Sequence, residues 1–465
     1  MNIQRVIDMK KIANMCLIIL TVIFALVCMQ SCSNTDPDAI DTTGSGDVTN
    51  EDTSSDSPGY DPKKYEKMYS DKTVYNTNMY TGYSVYFNLC DPDNPMNQTI
   101  GEVLLDSPGE AMYAHEDPTC KHHNSKCPMW DSGISKEILV VDPDYREQPL
   151  VYFFCRHHKE VYVDGDVNGD SKFRVFTEVR EYDVETGEFR SLATVPFNYV
   201  ADAWCYQGKL YISTIWGSME YSEDFGVIDL SSGEFKKAEI DDCARMLGIT
   251  NDRVWYITGS NVIGSCTLDL ADYRNEYDVG VTTLRINGEF TLKGYAQNGV
   301  IYFERNCRVP QEVEGDAVDT FYMVSDIYAL DADDIESGET LIVEGARAFD
   351  AYNGDLYFTK IDYKEFGEMT LDGGEHTFMA RSYDGGTLYK YDHETDETSV
   401  CYSDIGTGIE DNYIFEVTGD YVIFTGLRYR DFETCKLWDG RDNLCIADLN
   451  TGEWQVLYPY DYMED

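Results

Sequence analysis

Two short phrases alternate along this chain and constrain its fold more than any other feature. The first is a tight turn followed by an apolar strand, and its copies are YQGKLYIST (206–214), TNDRVWYIT (250–258), AQNGVIYFE (296–304), AYNGDLYFT (351–359) and VTGDYVIFT (417–425). Asn-Gly or Gly-Asp before alternating β-branched and aromatic residues indicates a β-hairpin, because such turns need a positive φ.

The second phrase is a short strand, an acidic turn and another strand. Its copies are REYDVETGEFRSL (180–192), GVIDLSSGEFKKA (226–238), TLRINGEFTLK (283–293), IYALDADDIESGETLIV (327–343), TLYKYDHETDETSV (387–400) and CIADLNTGEWQVL (445–457). The turn residues of these copies are 46, 55, 50, 58 and 56 positions apart. Two hairpins in roughly 50 residues make a four-stranded unit, which is the size of a propeller blade.

The repeat predicts an all-β chain with a single β-propeller over residues 66–465. Six units are visible, and residues 71–127 look like a degenerate additional unit. We therefore expect six or seven blades of four antiparallel strands around a common axis. The short turns should lie at one end of the axis. The longer segments between second and third strands should lie at the other end.

The N-terminus has the pattern of a secretory signal. A basic start precedes a short apolar run, and a small residue, Ser31, precedes Cys32, which predicts a signal peptide over residues 1–31. Ser31-Cys32 resembles the lipobox of bacterial lipoproteins, which implies lipidation of Cys32. An uncleaved membrane anchor is the alternative. Residues 32–65 are rich in Ser, Thr, Asp and Gly and predict a disordered tether.

From about residue 70 to about residue 460 the repeat resembles the propellers of bacterial lipoproteins, including the TolB-like and DUF5050-type families. Together with the lipobox, this implies a bacterial protein attached by lipid to the extracellular face of the cell membrane. The resemblance specifies no ligand, because propellers support many unrelated functions. The net charge is −49, from 36 basic and 85 acidic residues, and such a surface repels phosphate backbones. We therefore expect no nucleic-acid partner.

Four candidate metal ligands lie close together in the stretch HEDPTCKHHNSKCP. His115, Cys120, His122 and Cys127 follow an H-x4-C-x-H-x4-C spacing, and nitrogen and sulfur ligands of this kind hold zinc or iron. We expect a metal here to be structural, because no base that could activate water is identifiable. A disulfide between Cys120 and Cys127 is one alternative, and plain thiols are another.

A candidate calcium loop lies in DGDVNGD. Asp164, Asp166, Asn168 and Asp170 place oxygen ligands at alternate positions, which resembles the start of the calcium loops of EF-hands and integrin propellers. The bidentate acid that closes an EF-hand is missing from this stretch. A plain Asn-Gly hairpin turn is the alternative.

The longer segments between second and third strands carry aromatic residues in a polar setting. Rings flanked by carboxylates suit the faces and hydroxyls of sugars, and they suit a protein interface equally. The candidate ligand-binding residues are Tyr221, Tyr273, Tyr277, Tyr322, Tyr363, Phe366, Tyr429 and Trp438. The alternative is that these rings fold back as small cores within the loops.

The sequence contains no nucleophile elbow, phosphate loop or nucleotide fingerprint. The leading hypothesis is therefore a lipid-anchored surface propeller that binds an unidentified glycan or protein without catalysis, rather than an enzyme. The alternative hypothesis is a glycan-active hydrolase or lyase on the same scaffold. Two buried carboxylates about 5–9 Å apart at the loop-bearing end of the axis would favour the enzyme. The candidate cofactors are structural zinc or iron and calcium.

Overall fold

A computed structural model of the protein describes residues 62–459 with gaps, and all of these residues belong to one compact unit, Asp56–Asp465. The gaps are 92–93, 115–126, 128–129, 132–137, 142–149, 163–170, 185, 198–199, 215–223, 241–243, 281–292, 311–320, 361, 372–375, 385–386, 403–407, 410–414 and 428–441. No helix within the described ranges is long and apolar enough to cross a membrane.

The described residues form one α-helix and a series of antiparallel sheets. The helix is α1 (Pro62–Ser70), and β1 (Tyr75–Asn76) follows it. The first sheet contains β2 (Ser84–Asp91), β3 (Asn94–Leu104), β4 (Ala111–Tyr113) and β5 (Trp130–Asp131). The second sheet contains β6 (Ile138–Val141), β7 (Leu150–Tyr162), β8 (Ser171–Asp183) and β9 (Glu188–Val195). The third sheet joins β1 to β10 (Asp202–Tyr206), β11 (Lys209–Thr214), β12 (Asp224–Asp229) and β13 (Phe235–Lys237).

The second half of the chain contains a sheet of 11 strands, a hairpin and a last sheet. The 11-stranded sheet contains β14 (Ala244–Thr250), β15 (Arg253–Thr258), β16 (Val262–Thr267), β17 (Arg274–Asp278), β18 (Gly294–Gln297), β19 (Val300–Pro310), β20 (Phe321–Asp331), β21 (Thr340–Tyr352), β22 (Asp355–Lys360), β25 (Leu388–Asp392) and β26 (Glu397–Tyr402). A 3₁₀ helix (Ile335–Ser337) connects β20 to β21. The hairpin contains β23 (Asp362–Leu371) and β24 (His376–Asp384). The last sheet contains β27 (Gly408–Ile409), β28 (Phe415–Thr418), β29 (Tyr421–Leu427), β30 (Asp442–Asp448) and β31 (Trp454–Pro459).

The predicted all-β propeller fold is confirmed, but the predicted count of six or seven separate blades is wrong. In the described residues, four sheets have the four or five strands of a single blade. Three further copies of the first phrase lie together in the 11-stranded sheet. They are joined because β14 pairs in parallel with β18 at Gly248 and Ala296, and because β21 runs from one repeat into the next.

The hairpin turns of the first phrase are confirmed at all five copies, between β10 and β11, β14 and β15, β18 and β19, β21 and β22, and β28 and β29. At the copy around Asn353-Gly354, both turn residues have a positive φ, 53° and 90°. An Asn-Gly pair adopts these angles with little strain, which is why this dipeptide marks the turn in the sequence.

The core lies between neighbouring sheets. The second strand of each repeat is buried along most of its length, as in β11, β15 and β22, because it is packed on both faces. One apolar cluster unites Val85 of the first sheet, Val151 of the second and Ile423 of the last. The Gly109 N–H also donates to the Leu457 carbonyl at 2.7 Å. The beginning and end of the described chain therefore meet, as a closed propeller requires.

The helix α1 and one long segment differ from the sequence-based expectations. Helix α1 begins at Pro62, inside the predicted tether, because Met68 is buried in the core between the second and third sheets. One of the longer segments that we expected between a second and a third strand, residues 259–282, instead contains the strands β16 and β17. The copy of the second phrase expected at 283–293 lies almost entirely outside the described residues.

Gly248 allows the parallel contact between β14 and β18, and its replacement provides a test of the merged sheet. A Cβ atom at this position would lie 2.4 Å from the Ala296 carbonyl oxygen, and the backbone φ of Gly248 is +143°. We expect Gly248→Ala to lower the free energy of unfolding by about 1–3 kcal/mol more than Gly299→Ala does, as measured by denaturant titration. Gly299 is the control because it has a positive φ, +84°, and open space around it. Equal losses would contradict the steric argument.

Candidate functional site

The predicted metal centre is represented by a single described residue. Cys127 is 1% exposed and packs in the apolar cluster between the first and second sheets. His115, Cys120 and His122 lie outside the described residues. Elsewhere in the described chain, no group of three or more His, Cys, Asp or Glu side chains comes together as a metal site. The zinc or iron centre and the alternative disulfide stay predictions.

The predicted calcium and lipid sites also lie outside the described residues. Asp164, Asp166, Asn168 and Asp170 fall in the gap at 163–170, between the ends of the long hairpin β7–β8. Cys32 precedes the described range. Lipidation, calcium binding and location at the cell surface therefore stay predictions.

The aromatic residues predicted to share one ligand-binding face are not all in loops. Tyr273 and Tyr277 lie next to and on the outer strand β17, where each packs against an apolar cluster. Tyr322 lies on β20, and Tyr363 and Phe366 lie on β23. Strand pairing extends through segments that we expected to be irregular. The remaining three candidates lie outside the described residues, namely Tyr221, Tyr429 and Trp438.

The structure instead brings together a group of ionisable side chains on and beside the innermost strands, which we call the axial cluster. Its members come from the starts of β10 and β14, from the residues at and just before β18, from β19, and from the inner half of β21. Most of them lie at the end of the axis opposite the short turns of the first phrase. The members are Asp202, Arg245, Lys293, Tyr295, Glu304 and Asp350.

Two cations contact different parts of the axial cluster. Arg245 Nη2 lies 2.9 Å from Asp202 Oδ2, and both side chains are largely buried. Lys293 Nζ donates to the Phe349 carbonyl oxygen at 3.0 Å. The same ammonium lies 5.2 Å from the ring centroid of Tyr295, a distance typical of cation–π contacts. The axial cluster therefore sets two cations beside its three carboxyls, in a chain whose net charge is −49.

Glu304 is a buried carboxyl with few protein donors around it. Its side chain is 8% exposed, and it accepts from the Lys293 backbone N–H at 2.7 Å and from Ser325 Oγ at 2.5 Å. Burial raises the pKa of Glu304 above its usual range, and the hydrogen bonds from Ser325 and Lys293 offset only part of that rise. A carboxyl of this kind keeps its proton to higher pH than an exposed glutamate does.

Asp350 is the second buried carboxyl of the axial cluster, and its hydrogen bonds are different. It is 3% exposed, and its two oxygens accept from the backbone N–H groups of Ala351 at 2.8 Å and Val417 at 2.7 Å. Burial raises the pKa of Asp350 also, against the opposing charge of Lys293. Because Val417 belongs to the last sheet, Asp350 ties that sheet to the 11-stranded sheet. We assign it a structural role.

The partly buried phenol of Tyr295 lies close enough to both Asp202 and Asp350 to be influenced by their charges. Burial, and after it the charges of Asp350 and Asp202, raise the pKa of Tyr295 well above its ordinary value. Its hydroxyl therefore stays protonated, and it donates to the Phe349 carbonyl oxygen at 3.5 Å. The cluster as a whole offers a buried proton donor, a paired carboxylate, two cations and an aromatic ring.

Sequence reasoning missed the axial cluster because its members follow no short motif. The sequence contains a weaker signal. Several innermost strands carry a polar residue three or five positions before the hairpin turn, and these positions alternate along the strand. Asp350 stands three positions before Asn353, and Glu416 stands three before Gly419. Asp202 stands five positions before Gln207, and Lys293 stands five before Asn298. Alternate positions on a strand face the same side.

Comparison with known proteins adds information on the fold. No protein-family model matches the chain, and no curated protein matches it. Solved structures with similar folds include the β-propeller domain of the Trilobed protease from Pyrococcus furiosus, with 14% identity and a TM-score of 0.36 over 66% of this chain and 79% of that one. An oligogalacturonate lyase from Vibrio parahaemolyticus is similar at 10% identity and a TM-score of 0.38, over 77% of this chain and 89% of that one.

A third similar structure is the Pyrococcus horikoshii acylaminoacyl peptidase, with 11% identity and a TM-score of 0.43 over 85% of this chain. This chain spans 54% of that peptidase, about half of its length. The similarity shows the fold alone. Because no family model matches, membership of the TolB-like or DUF5050-type lipoprotein families stays a prediction.

These comparisons correct the functional hypothesis drawn from the sequence. We expected a non-catalytic binding and interaction protein and considered an enzyme the weaker alternative. That expectation is corrected to its alternative, the enzyme: the solved structures named above are a protease, a peptidase and a lyase, and their similarity to this chain concerns the fold alone. The absence of a catalytic motif in the sequence does not exclude an enzyme, since groups that act on a substrate can come from strands far apart in sequence.

Proposed function

We propose that the protein is a glycan-active enzyme, a hydrolase or lyase whose reacting groups lie in the axial cluster. The observation that carries this proposal is Glu304, a buried carboxyl with a raised pKa on β19, the strand paired with the innermost strand β18. A second carboxyl, Asp202, is held by Arg245 in the same cluster. Two carboxyls in different environments are the arrangement that acid–base cleavage of a glycosidic bond requires.

Each group has a role that follows from its surroundings. Glu304 is the acid that gives its proton to the oxygen of the leaving sugar. Asp202, fixed by its ion pair with Arg245, is the carboxylate that assists the attacking water or stabilises the positive charge of the sugar ring. The ring of Tyr295 offers an aromatic face to the substrate, and the oxygen of its protonated hydroxyl can accept a hydrogen bond.

Hydrolysis is the reaction that the carboxyl pair supports best. The glycosidic bond breaks, the leaving oxygen takes the proton of Glu304, and water supplies the hydroxyl that the other sugar gains. The proton that this water loses passes to Asp202, and exchange with solvent then restores the proton of Glu304. An elimination would need a base for a ring proton, and a cation such as Lys293 or Arg245 to hold the carboxylate of an acidic sugar. For these reasons we place the lyase second.

The test is incubation of the full chain with a panel of neutral and acidic oligosaccharides, with products analysed by mass spectrometry. We expect shortened chains in which each cleavage has added one water. Products with an unsaturated sugar end, detected by their ultraviolet absorbance, would replace the hydrolase with the lyase. If no glycan in the panel is cleaved across the pH range in which the protein is folded, the proposal is overturned.

A further inference from the structure

We propose that a second site, at the end of the axis that carries the short turns of the first phrase, binds a single small neutral sugar or similar polyol. A cavity of about 160 Å³ lies there, lined by 12 residues that include Tyr352 and Thr418. These two residues end the innermost strands β21 and β28, next to the short turns of the first phrase. This inference goes beyond the proposed function and does not depend on it.

One wall of the cavity is the segment around β1, which is held firmly in place. Asn76 pairs with Trp204 of β10, which ties the segment to the third sheet. Two residues further on, the Asn78 N–H donates to the Ile138 carbonyl at 2.9 Å, and the Asn78 carbonyl accepts from the Val140 N–H at 2.9 Å. The segment is thus hydrogen-bonded to two sheets, and a wall held in this way is typical of a preformed ligand site.

Several polar atoms at the cavity have no protein partner. The amide of Asn76 and the hydroxyls of Tyr352 and Thr418 make no side-chain hydrogen bond within the described residues. By contrast, the hydroxyls of Tyr75 and Tyr80 are bonded to Asp71 Oδ2 at 2.9 Å and to the Gly82 carbonyl at 2.8 Å, which fixes these rings. The cavity therefore combines fixed aromatic faces with unused donors and acceptors.

The charge and size of the cavity limit the chemical class of ligand that it can bind. None of the 12 lining residues is Asp, Glu, Lys, Arg or His, although the chain has a net charge of −49. The lining offers no counter-charge to an anion or a cation. The volume equals that of about five water molecules and is about half the lower limit for drug-sized ligands, roughly 300 Å³. One uncharged ring bearing hydroxyls fits these limits.

The experiment is a titration of the full chain with glucose, galactose, mannose and N-acetylglucosamine, followed by saturation-transfer NMR. Glucuronate and galacturonate serve as the charged counterparts. We expect at least one neutral sugar to bind, and the acids to bind at least tenfold more weakly. Tyr352→Phe and Thr418→Val each remove one hydroxyl with little change of shape, and each should weaken binding by about 3- to 10-fold. Tyr389→Phe is the matched control, because Tyr389 stacks on Phe358 away from the cavity and should leave binding unchanged.

The outcomes separate this site from the axial cluster. Binding that survives in Glu304→Gln but weakens in Tyr352→Phe supports a site at the turn end, whether or not the chain cleaves glycans. Binding lost in Glu304→Gln and unchanged in Tyr352→Phe would assign the sugar to the axial cluster and overturn the proposal. Failure of all four neutral sugars to bind, or equal binding of the acids, would also overturn it.

Discussion

Replacement of Glu304 by glutamine is expected to lower the turnover of a cleaved glycan by about 10²- to 10⁴-fold while the chain stays folded. The glutamine oxygen can still accept from the Lys293 backbone N–H. Its new amide N–H can donate to Ser325 Oγ, because a hydroxyl can act as donor or acceptor. The variant therefore loses the proton that the carboxyl would release and little else.

The pH dependence of the rate provides a second readout of the same substitution. Burial raises the pKa of Glu304, so the wild-type carboxyl is protonated up to a higher pH than usual. As the pH rises through that pKa, the acid loses its proton and the wild-type rate should fall. Glutamine does not titrate, so the residual rate of Glu304→Gln should lack this alkaline decline. Initial rates across the pH range would show the difference.

Glu181→Gln is the matched control for Glu304→Gln. Glu181 of strand β8 is also a buried glutamate, at 5% exposure. It accepts from the Tyr152 hydroxyl at 3.0 Å and from Arg190 Nη2 at 3.2 Å. A general loss from disturbing a buried carboxyl would appear in both variants. A Glu304→Gln rate within threefold of wild type, or an equal loss in Glu181→Gln, would remove Glu304 from the reaction.

The fold was predictable where local chemistry decides it. A hairpin turn needs residues that tolerate positive φ, so dipeptides such as Asn353-Gly354 mark the turns in the sequence itself. The number of separate sheets was not predictable in this way. Gly248 approaches Ala296 through backbone atoms of two different repeats, and no sequence pattern signals that contact. The strand β16 was missed because the turn that follows VIGSCT, at residues 268–273, does not match the turns that marked the copies of the second phrase.

The candidate site was less predictable than the fold, and the reason is topological. Asp202 and Arg245 lie on the innermost strands β10 and β14, and Glu304 lies on β19 beside the innermost strand β18. They come together because the innermost strands of a propeller converge on its axis. Sequence reasoning searched for clusters of ligands close together in the chain, such as His115 to Cys127, and for rings in long loops. A search for polar residues at alternate positions of the innermost strands would have found Asp202 and Asp350.

Replacement of Asp350 by asparagine is expected to destabilise the protein by about 1–3 kcal/mol, because one amide N–H must face a backbone N–H. Both carboxyl oxygens of Asp350 accept from backbone donors, Ala351 on one side and Val417 on the other. Asparagine has one oxygen only, so either orientation leaves two donors in contact. Unlike Ser325 beside Glu304, neither backbone group can reverse its role. Denaturant titration of both variants should therefore give a larger loss for Asp350→Asn than for Glu304→Gln.

The loss in Asp350→Asn should depend on pH in a direction set by the raised pKa of Asp350. A carboxyl whose pKa is higher in the folded state binds its proton more tightly there. Its contribution to stability is full below the unfolded pKa of roughly 3.9 and is lost as the pH rises through the folded pKa. The difference between wild type and Asp350→Asn should thus be largest in acid and shrink toward alkaline pH.

Asp355→Asn is the control, since Asp355 is partly exposed and paired with Lys390, and a loss of about 1 kcal/mol or less is expected there. A difference that grows with pH would mean that ionised Asp350 is stabilised by Lys293 more than it is penalised by burial.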